Sequence, residues 1–332
     1  MACTYLGCRG WDYGAVLARD TDLLYSTLVL ASTEEAHTGS YSLKLRSRNW
    51  IRFAVDGTPD NIAIGAWVHL AGQHNVDRAS DIYIQLPNTK YVEFRWDGTN
   101  HTYDAYVDGG KVADGSVSPT DYTDWFNVQL YIYIDGSGFL RSRLDGVSDI
   151  DYSGNTIPAT SSAAIQYLYF QKYNTDNSFY KLYIDDVVWG TDDWTGTCQV
   201  SYLVPNGDTA VDDWTASAGD SYSCVDEVPT STSDYIYADT NGDETELDLT
   251  DWSGAGKQIL GVNAIAWARQ DTATGEQLEL GVDSNGTDDT DTKQMVDAWT
   301  GYTYFLANNP DDSAAWEDAD IDALKVRVEA VI

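Results

Sequence analysis

Basic residues are scarce in this chain: 19 Lys and Arg stand against 53 Asp and Glu, a net charge of −34. That argues against nucleic acid as a partner, because neutralising phosphates takes a basic face. No apolar run is long enough to span a membrane, and no apolar signal core follows Met1, so a soluble chain made without Sec export is expected. Cysteine is sparse too. Cys3, Cys8, Cys198 and Cys224 form no C-x-x-C pair, and His37, His69, His74 and His101 are scattered, so the pattern is not that of a zinc cage. Cys3 with Cys8 and Cys198 with Cys224 are the two pairings considered; sequence establishes neither bond. Glu is also rare, with 10 of the 53 acids, which leaves 43 Asp. Asp favours turns and forms helices poorly, and no long segment has a helical period.

What is present is β-type. Hydrophobic residues make up 43% of 332, enough to bury a core in each half of a two-domain chain. The 12 Trp and 23 Tyr suit pleated surfaces. Runs such as "IAIGAWVHL" (62–70), "IYIQL" (82–86), "YVEFRW" (91–96), "VQLYIYI" (128–134) and "IQYLYF" (165–170) alternate with period two. Asp-Gly or Asn-Gly pairs punctuate them, among them Asp97-Gly98, Asp108-Gly109, Asp145-Gly146, Asn206-Gly207, Asn241-Gly242 and Asn285-Gly286. Such pairs accept the positive φ of tight hairpins. The reading is all-β, with two jelly-roll-like β-sandwich domains in tandem. A polar junction, "GTDDWTGTC", divides them. Residues 1–197 carry 25 acids and 14 bases (−11), and residues 198–332 carry 28 and 5 (−23). In the second part, "SCVDE", "DYIYA", "ETELDL", "QILGVNAIAWARQ", "EQLELGV", "YTYFLA" and "LKVRVEAVI" are the expected strands, with one helical turn within 312–322.

The charge has a consequence of its own. At molar salt the Debye length falls to about 3 Å and mutual repulsion of the acids is screened, so a high-salt protein is expected; an acidic surface protein from ordinary conditions is the alternative.

The stretch "DTNGDETELDLTDW" is the candidate metal site. Asp239, Asn241 and Asp243 match the first three ligand positions of a hand-type calcium loop. Glu244 stands where Gly is needed and Thr250 where the bidentate Glu is needed, and strands flank the loop, so a hairpin with Asn241-Gly242 at its tip is the simpler reading. The acidic runs "GTDDTDT" and "PDDSAAWEDAD" read as solvated faces that hold Ca, Mg or K loosely, and no cofactor is implied. "SGAGKQ" lacks both the first Gly and the Ser or Thr of a phosphate loop. No nucleophile elbow or His-Glu-x-x-His is present, and Glu93 in "YVEFRW" is a lone strand Glu, so a non-enzymatic protein is expected. Asn100-His101-Thr102 and Asn285-Gly286-Thr287 are glycosylation sequons at expected hairpin tips.

Two resemblances add to this. "TGSYSLKLRS", "IAIGAWVHL", "DWFNVQLYIYIDGSGFLRSRLDG" and "KLYIDDVVWG" resemble a concanavalin-A-like or laminin-G-like sandwich over residues 38–195, with Asp185-Asp186 ending its apolar ladder. That fold hosts lectins, enzymes and structural modules alike. "VPNGDTAVDDWTASAGDSYSCVDEVP", "DYIYADTNGDETELDL", "GVNAIAWARQD" and "NPDDSAAWEDADIDALKVRVEAV", within 196–332, resemble a module of structural proteins from tailed viruses. Arg327 departs from that pattern, which commonly has a small residue there. With the acidity, the resemblance implies a virion of a halophile's virus. The expected role is structural, on the particle exterior: a head turret, capsid decoration, tail fibre or spike. The implied partners are other virion proteins in a homo-oligomer, with residues 1–37 as a docking segment. The alternative is a receptor-binding protein whose lectin-like domain takes host surface glycan on a face rimmed by Trp and Tyr; a polysaccharide-degrading enzyme stands third.

Overall fold

The computed structural model describes residues 4–9, 23–25, 29–32, 34–38, 42–45, 49–55, 57–72, 75–173, 181–191, 193–227, 231–254, 256–271 and 275–332, the first three stretches by their backbone. The chain is all-β and divides into two compact units in tandem, one ending at Ser201 and the other continuing from Tyr202.

The first unit is a jelly-roll-like sandwich of two antiparallel sheets. The eight-stranded sheet contains β1 (Thr4–Arg9), β3 (Val29–Ser32), β4 (Ser42–Leu45), β6 (Asn61–His69), β11 (Phe126–Tyr133), β12 (Gly138–Leu144), β13 (Val147–Gly154) and β15 (Leu182–Thr191). Its order is β13-β12-β11-β6-β15-β4-β3, with β1 also paired to β15. The seven-stranded sheet contains β2 (Leu23–Tyr25), β5 (Trp50–Ala54), β7 (Asp81–Leu86), β8 (Lys90–Asp97), β9 (Thr102–Val107), β10 (Gly110–Ala113) and β14 (Tyr167–Gln171), in the order β10-β9-β8-β7-β14-β5-β2. Period-two alternation sends Ile62, Ile64, Ala66 and Val68 of β6, and Val92, Phe94 and Trp96 of β8, into one shared core. Each large apolar side chain there is almost wholly buried, worth roughly 1.5–3 kcal/mol apiece.

The docking segment expected over 1–37 is not separate from this sandwich where it is described. Thr4–Arg9, Leu23–Tyr25 and Val29–Ser32 pair with β15, β5 and β4. Residues 34–37 are also described, and His37 bonds to Asp185 and Asp186 of β15; the remainder of that segment, with Cys3 and the Cys8 side chain, lies outside the described residues, as do the Gly39-Ser40 pair and His74.

The second unit is smaller. A five-stranded antiparallel sheet runs β16 (Pro205–Asp212), β19 (Glu244–Leu249), β24 (Lys325–Val331), β21 (Gln277–Ser284), β22 (Thr287–Gln294). Two ribbons accompany it: β17 (Thr215–Ala216) with β18 (Ile236–Tyr237), and β20 (Val262–Ala268) with β23 (Thr300–Leu306). Leu278, Leu280 and Val282 from β21 meet Ala264, Tyr302 and Leu306 from the β20–β23 ribbon. Trp316, Ile321 and Leu324 close the core around α1 (Asp318–Asp322). This is a sandwich with unequal layers.

Several turn expectations hold. Asp108-Gly109, Asp145-Gly146 and Asn285-Gly286 join β9–β10, β12–β13 and β21–β22, with φ of 49° and 80°, 49° and 79°, and 53° and 83°. Two successive positive φ values match the twist of the flanking strands. Others do not hold. Asn206-Gly207 lies inside β16. "SCVDE" is no strand: its Ser223 and Cys224 lie in a 3-10 turn, Tyr222–Cys224, where Asp208 accepts the N–H groups of Ser221 and Tyr222 at 3.2 and 2.6 Å. "GTDDTDT" enters β22, whose acidic side chains suit a sheet edge that must not recruit another strand. The Cys198–Cys224 bond is not made: each is a buried thiol that donates to a carbonyl nearby in its own unit, Thr195 at 2.9 Å and Ala218 at 2.7 Å.

Candidate functional site

On the seven-stranded sheet, the residues between the core positions are more often Tyr, Arg and Gln than the Asp and Thr common elsewhere in the chain. Register lines up Arg52, Tyr169, Tyr83, Glu93, Tyr106 and Lys111 in one row across six strands. One flanking row is Trp50, Gln171, Asp81, Arg95 and Asp104; the other is Ala54, Tyr167, Gln85 and Tyr91. Strand spacing of about 4.8 Å makes the central row roughly 24 Å long. These rows hold three bases (Arg52, Arg95, Lys111) and three acids (Glu93, Asp81, Asp104). Within a chain of net charge −34, this face is therefore neutral.

Aromatic rings fill its centre. Tyr83 stacks on Tyr169 with centroids 4.5 Å apart and planes 10° apart. Tyr91 meets Tyr83 edge-on at 5.3 Å, Trp50 tilts against Tyr169 at 5.6 Å, and Tyr167 lies 6.3 Å from Tyr169. The Arg52 guanidinium lies 4.0 Å above Tyr167 and donates to the Tyr169 hydroxyl at 3.1 Å; that hydroxyl in turn donates to Gln85 Oε1 at 2.7 Å. Arg95 covers Tyr106 at 3.8 Å and donates to Glu93 at 2.7 Å. Arg78 covers Tyr173 at 3.7 Å and donates to Asp81 at 3.1 Å. Glu93, a lone strand carboxylate in the sequence, sits between Arg78 and Arg95.

Burial shapes the titration of this face. It pushes the Asp81 carboxyl up to about 6 in spite of Arg78, and Asp81 Oδ1 is buried without a hydrogen-bond partner. Burial, and then the neighbouring Tyr169, holds the Tyr83 phenol far above its ordinary value, so it stays a neutral hydroxyl. What this surface offers is a packed row of rings, Tyr83, Tyr91 and Tyr167 half-buried and Tyr169 buried, between fixed donors and acceptors.

A second cluster lies on the other sheet. Asp185 and Asp186 do not end the ladder of β15; they form a mid-strand bulge, with Asp186 at φ 47°. Asp186 accepts from Thr38 Oγ1 at 2.8 Å and Val200 N at 2.9 Å, and bonds His37 Nδ1 at 2.8 Å. Asp185 accepts from the backbone of His37 and Thr38 at 3.0 and 3.3 Å. Burial, then the Asp186 charge, pushes Asp185 up to about 7. His37 stacks on Trp67 at 3.7 Å, and Trp67 donates to Cys198 O at 3.2 Å. A Cβ on Gly65 would lie 2.5 Å from Thr195 Oγ1, so glycine there lets residues 195–200 lie along β6. These partners are all internal to the unit, so the cluster acts as a latch for two crossing segments.

Of the expected metal residues, two are engaged in hydrogen bonds and one is exposed. Asn241 Oδ1 accepts Ile332 N at 2.9 Å, Asp243 accepts Thr240 N at 3.2 Å, and Asp239 is exposed. β18 and β19 do not pair, so Asn241-Gly242 is not a hairpin tip. Among the described residues, the acids that do converge are Glu246, Asp283 and Asp288, with oxygens within 4.8 Å of one another. Lys325 Nζ already stands 3.2 Å from Glu246 and 3.3 Å from Asp283. Burial pushes Glu246 up in spite of Lys325, whereas Lys325 rises, against its own burial, because Glu246 and Asp283 outweigh it; these two carboxylates share one ammonium, and Asp288 lies 3.5 Å from Arg327.

No protein-family model and no curated protein matches the sequence. Solved structures similar to it include the cellulose induced protein Cip1, at 13% identity, covering 60% of this chain and 94% of that one, with a TM-score of 0.38. Another is domain 4 of AbnA, a GH43 extracellular arabinanase from Geobacillus stearothermophilus, in complex with arabinotriose (12% identity, 59% and 96% covered, TM-score 0.42). A third is the metal-free form of lectin I-B4 from Griffonia simplicifolia (10%, 56% and 100%, 0.36). At such identities and scores they assign no role to any residue of this chain.

Proposed function

We propose that this protein binds oligosaccharide on the outer face of its seven-stranded sheet. The observation that carries this is the Tyr83–Tyr169 stack at the centre of an aromatic row, flanked by side chains whose polar atoms are fixed in place. Sugar rings present apolar C–H faces edged by hydroxyls. Flat rings with a few placed donors and acceptors match both parts. A row about 24 Å long suits a chain of sugars rather than a single one. The site is read as one of binding without turnover.

The exterior of a virus particle, implied by the sequence resemblance, is proposed as the setting, with glycan on the host surface as the ligand. An acidic surface kept soluble by salt suits that setting.

The test is a glycan array probed with purified protein, followed by titration calorimetry on the best ligand. Tyr83→Ala and Tyr169→Ala are expected to weaken binding at least tenfold each while leaving the fold intact by circular dichroism. Retention of no glycan, or full affinity in the double variant, would overturn the reading. Turnover of the bound polysaccharide would replace binding with catalysis.

A further inference from the structure

With 53 acids and 19 bases, a cation in this chain has no shortage of carboxylates nearby. On the aromatic face, most cations take one. Arg78 lies against Asp81, Arg95 against Glu93 at 2.7 Å, Lys111 against Asp104 at 2.7 Å, and Lys90 against Asp108 at 2.8 Å. Arg52 differs. No carboxylate among the described residues lies within ion-pair distance of it, and its hydrogen bond goes to the neutral Tyr169 hydroxyl. Its Nε is buried without an acceptor. Rings hold the guanidinium from several sides: Tyr167 at 4.0 Å, Tyr169 at 5.8 Å and Trp50 at 5.9 Å.

A guanidinium carries five donors in a planar fork that matches a carboxylate in two parallel bonds. Nε is shut off from solvent, so an incoming carboxylate meets the terminal nitrogens of the fork. The ring contacts fix the plane of the fork before any ligand arrives. In the central row Arg52 stands beside Tyr169 and two strands, roughly 10 Å, from Tyr83, with Leu24 of the edge strand β2 opposite it on its other side; a sugar lying along the row brings a substituent within its reach.

We propose that the glycan taken by this face is acidic, and that Arg52 receives the carboxylate of a uronate-type sugar lying along the aromatic row beside it. This rests on the glycan-binding reading above and adds the ligand's charge to it. The chain's overall charge repels a polyanion at long range, but in about 1 M salt the Debye length is about 3 Å and only the local contact remains.

The experiment is calorimetric titration in 1 M KCl with three ligands: a uronate oligosaccharide, its carboxyl-reduced neutral counterpart, and a sulfated form of that counterpart. The native protein is expected to bind the uronate at least tenfold more tightly than the reduced form. Arg52→Gln is expected to bring the two within about twofold, and Arg52→Lys, which keeps the charge but not the fork, to fall between. Tyr83→Ala is expected to weaken both alike. Equal or tighter binding of the neutral ligand overturns the role of Arg52 and leaves glycan binding standing. Tighter binding of the sulfated ligand overturns the carboxylate. Persistent discrimination in a folded Arg52→Gln protein overturns the assignment to this residue. Binding of none of the three, nor of any glycan on the array, sinks the underlying reading as well.

Discussion

The seven-stranded sheet of the first unit and the five-stranded sheet of the second each commit one side to a core and leave the other for polar work, yet the two sides are filled differently. In the first unit the central row is Arg52, Tyr169, Tyr83, Glu93, Tyr106 and Lys111. In the second, Glu244, Glu246 and Asp248 of β19 lie opposite Glu329, Arg327 and Lys325 of β24. Arg327 there donates to Glu244 at 2.6 Å and Glu329 at 2.9 Å, and lies 3.5 Å from Asp288. Its guanidinium rises above its ordinary value, chiefly through the Glu244 bond. One face keeps a cation short of partners among rings; the other spends its two cations holding acids together. The lesson is that charge on a sheet face serves the fold where it is matched internally, and is free for a ligand where it is not.

Arg327→Met is the sharpest way to break that comparison. It leaves several half-buried acids without a counter-charge, and a loss of about 3–5 kcal/mol is expected in denaturant unfolding of the second unit. Arg52→Met is expected to stay within roughly 1 kcal/mol. Equal losses would erase the distinction.

The next effect is in pH. Asp185, at about 7 when folded against an ordinary value of 3.8, favours the fold when protonated. Its contribution is fully present below about pH 4 and is lost as pH rises through 7; Asp81, at about 6, has the same sign. The first unit is expected to lose on the order of 1–3 kcal/mol between pH 5 and 8, read by hydrogen exchange, and Asp185→Asn is expected to flatten the curve. An unchanged slope in that variant would remove Asp185 as its cause.

Potassium chloride separates the units more gently. Residues 198–332 carry −23 against −11 for the rest, counted over the whole sequence. Raising KCl from 0.1 to 3 M is expected to raise exchange protection in both, and more in the second. A flat response would end the high-salt reading. The smallest effect belongs to Asn241→Ala, about 0.5–1.5 kcal/mol from the lost bond to Ile332 N; a larger loss abolished by chelator would restore the calcium loop.

The strands and many turns were readable from the chain because alternation and Asp-Gly pairs are local signals. "YVEFRW" and "IQYLYF" also showed aromatic and charged residues at alternate positions. What was not local was register. Arg52 and Tyr169 are 117 positions apart and become neighbours only when β14 pairs with β5. Glu93 is only partly such a case: Arg95, two residues on in the same strand, is its nearest partner, and Arg78 reaches it from another segment at 3.5 Å. Asp185-Asp186 reads as a ladder's end because two buried acids in mid-strand are costly, and the cost is met by donors from residues 37–38 and 200 that no short window displays. Arg327 departed from the viral pattern at the position that proved central to the charge network of its sheet.

The crossing of residues 195–200 over β6 has a mechanical side. β15 is flanked by β6 and β4, and the chain that continues from it is tied to Trp67 through Cys198 O and to Asp186 through Val200 N, along the path Gly65 leaves open. Tension applied from the C-terminal direction loads those side-chain ties first. It then reaches a strand whose ladder bonds stand across the line of pull, so that they share the force and do not unzip one by one. A pull along β15 is therefore expected to meet the two ties and the flanking ladders in turn.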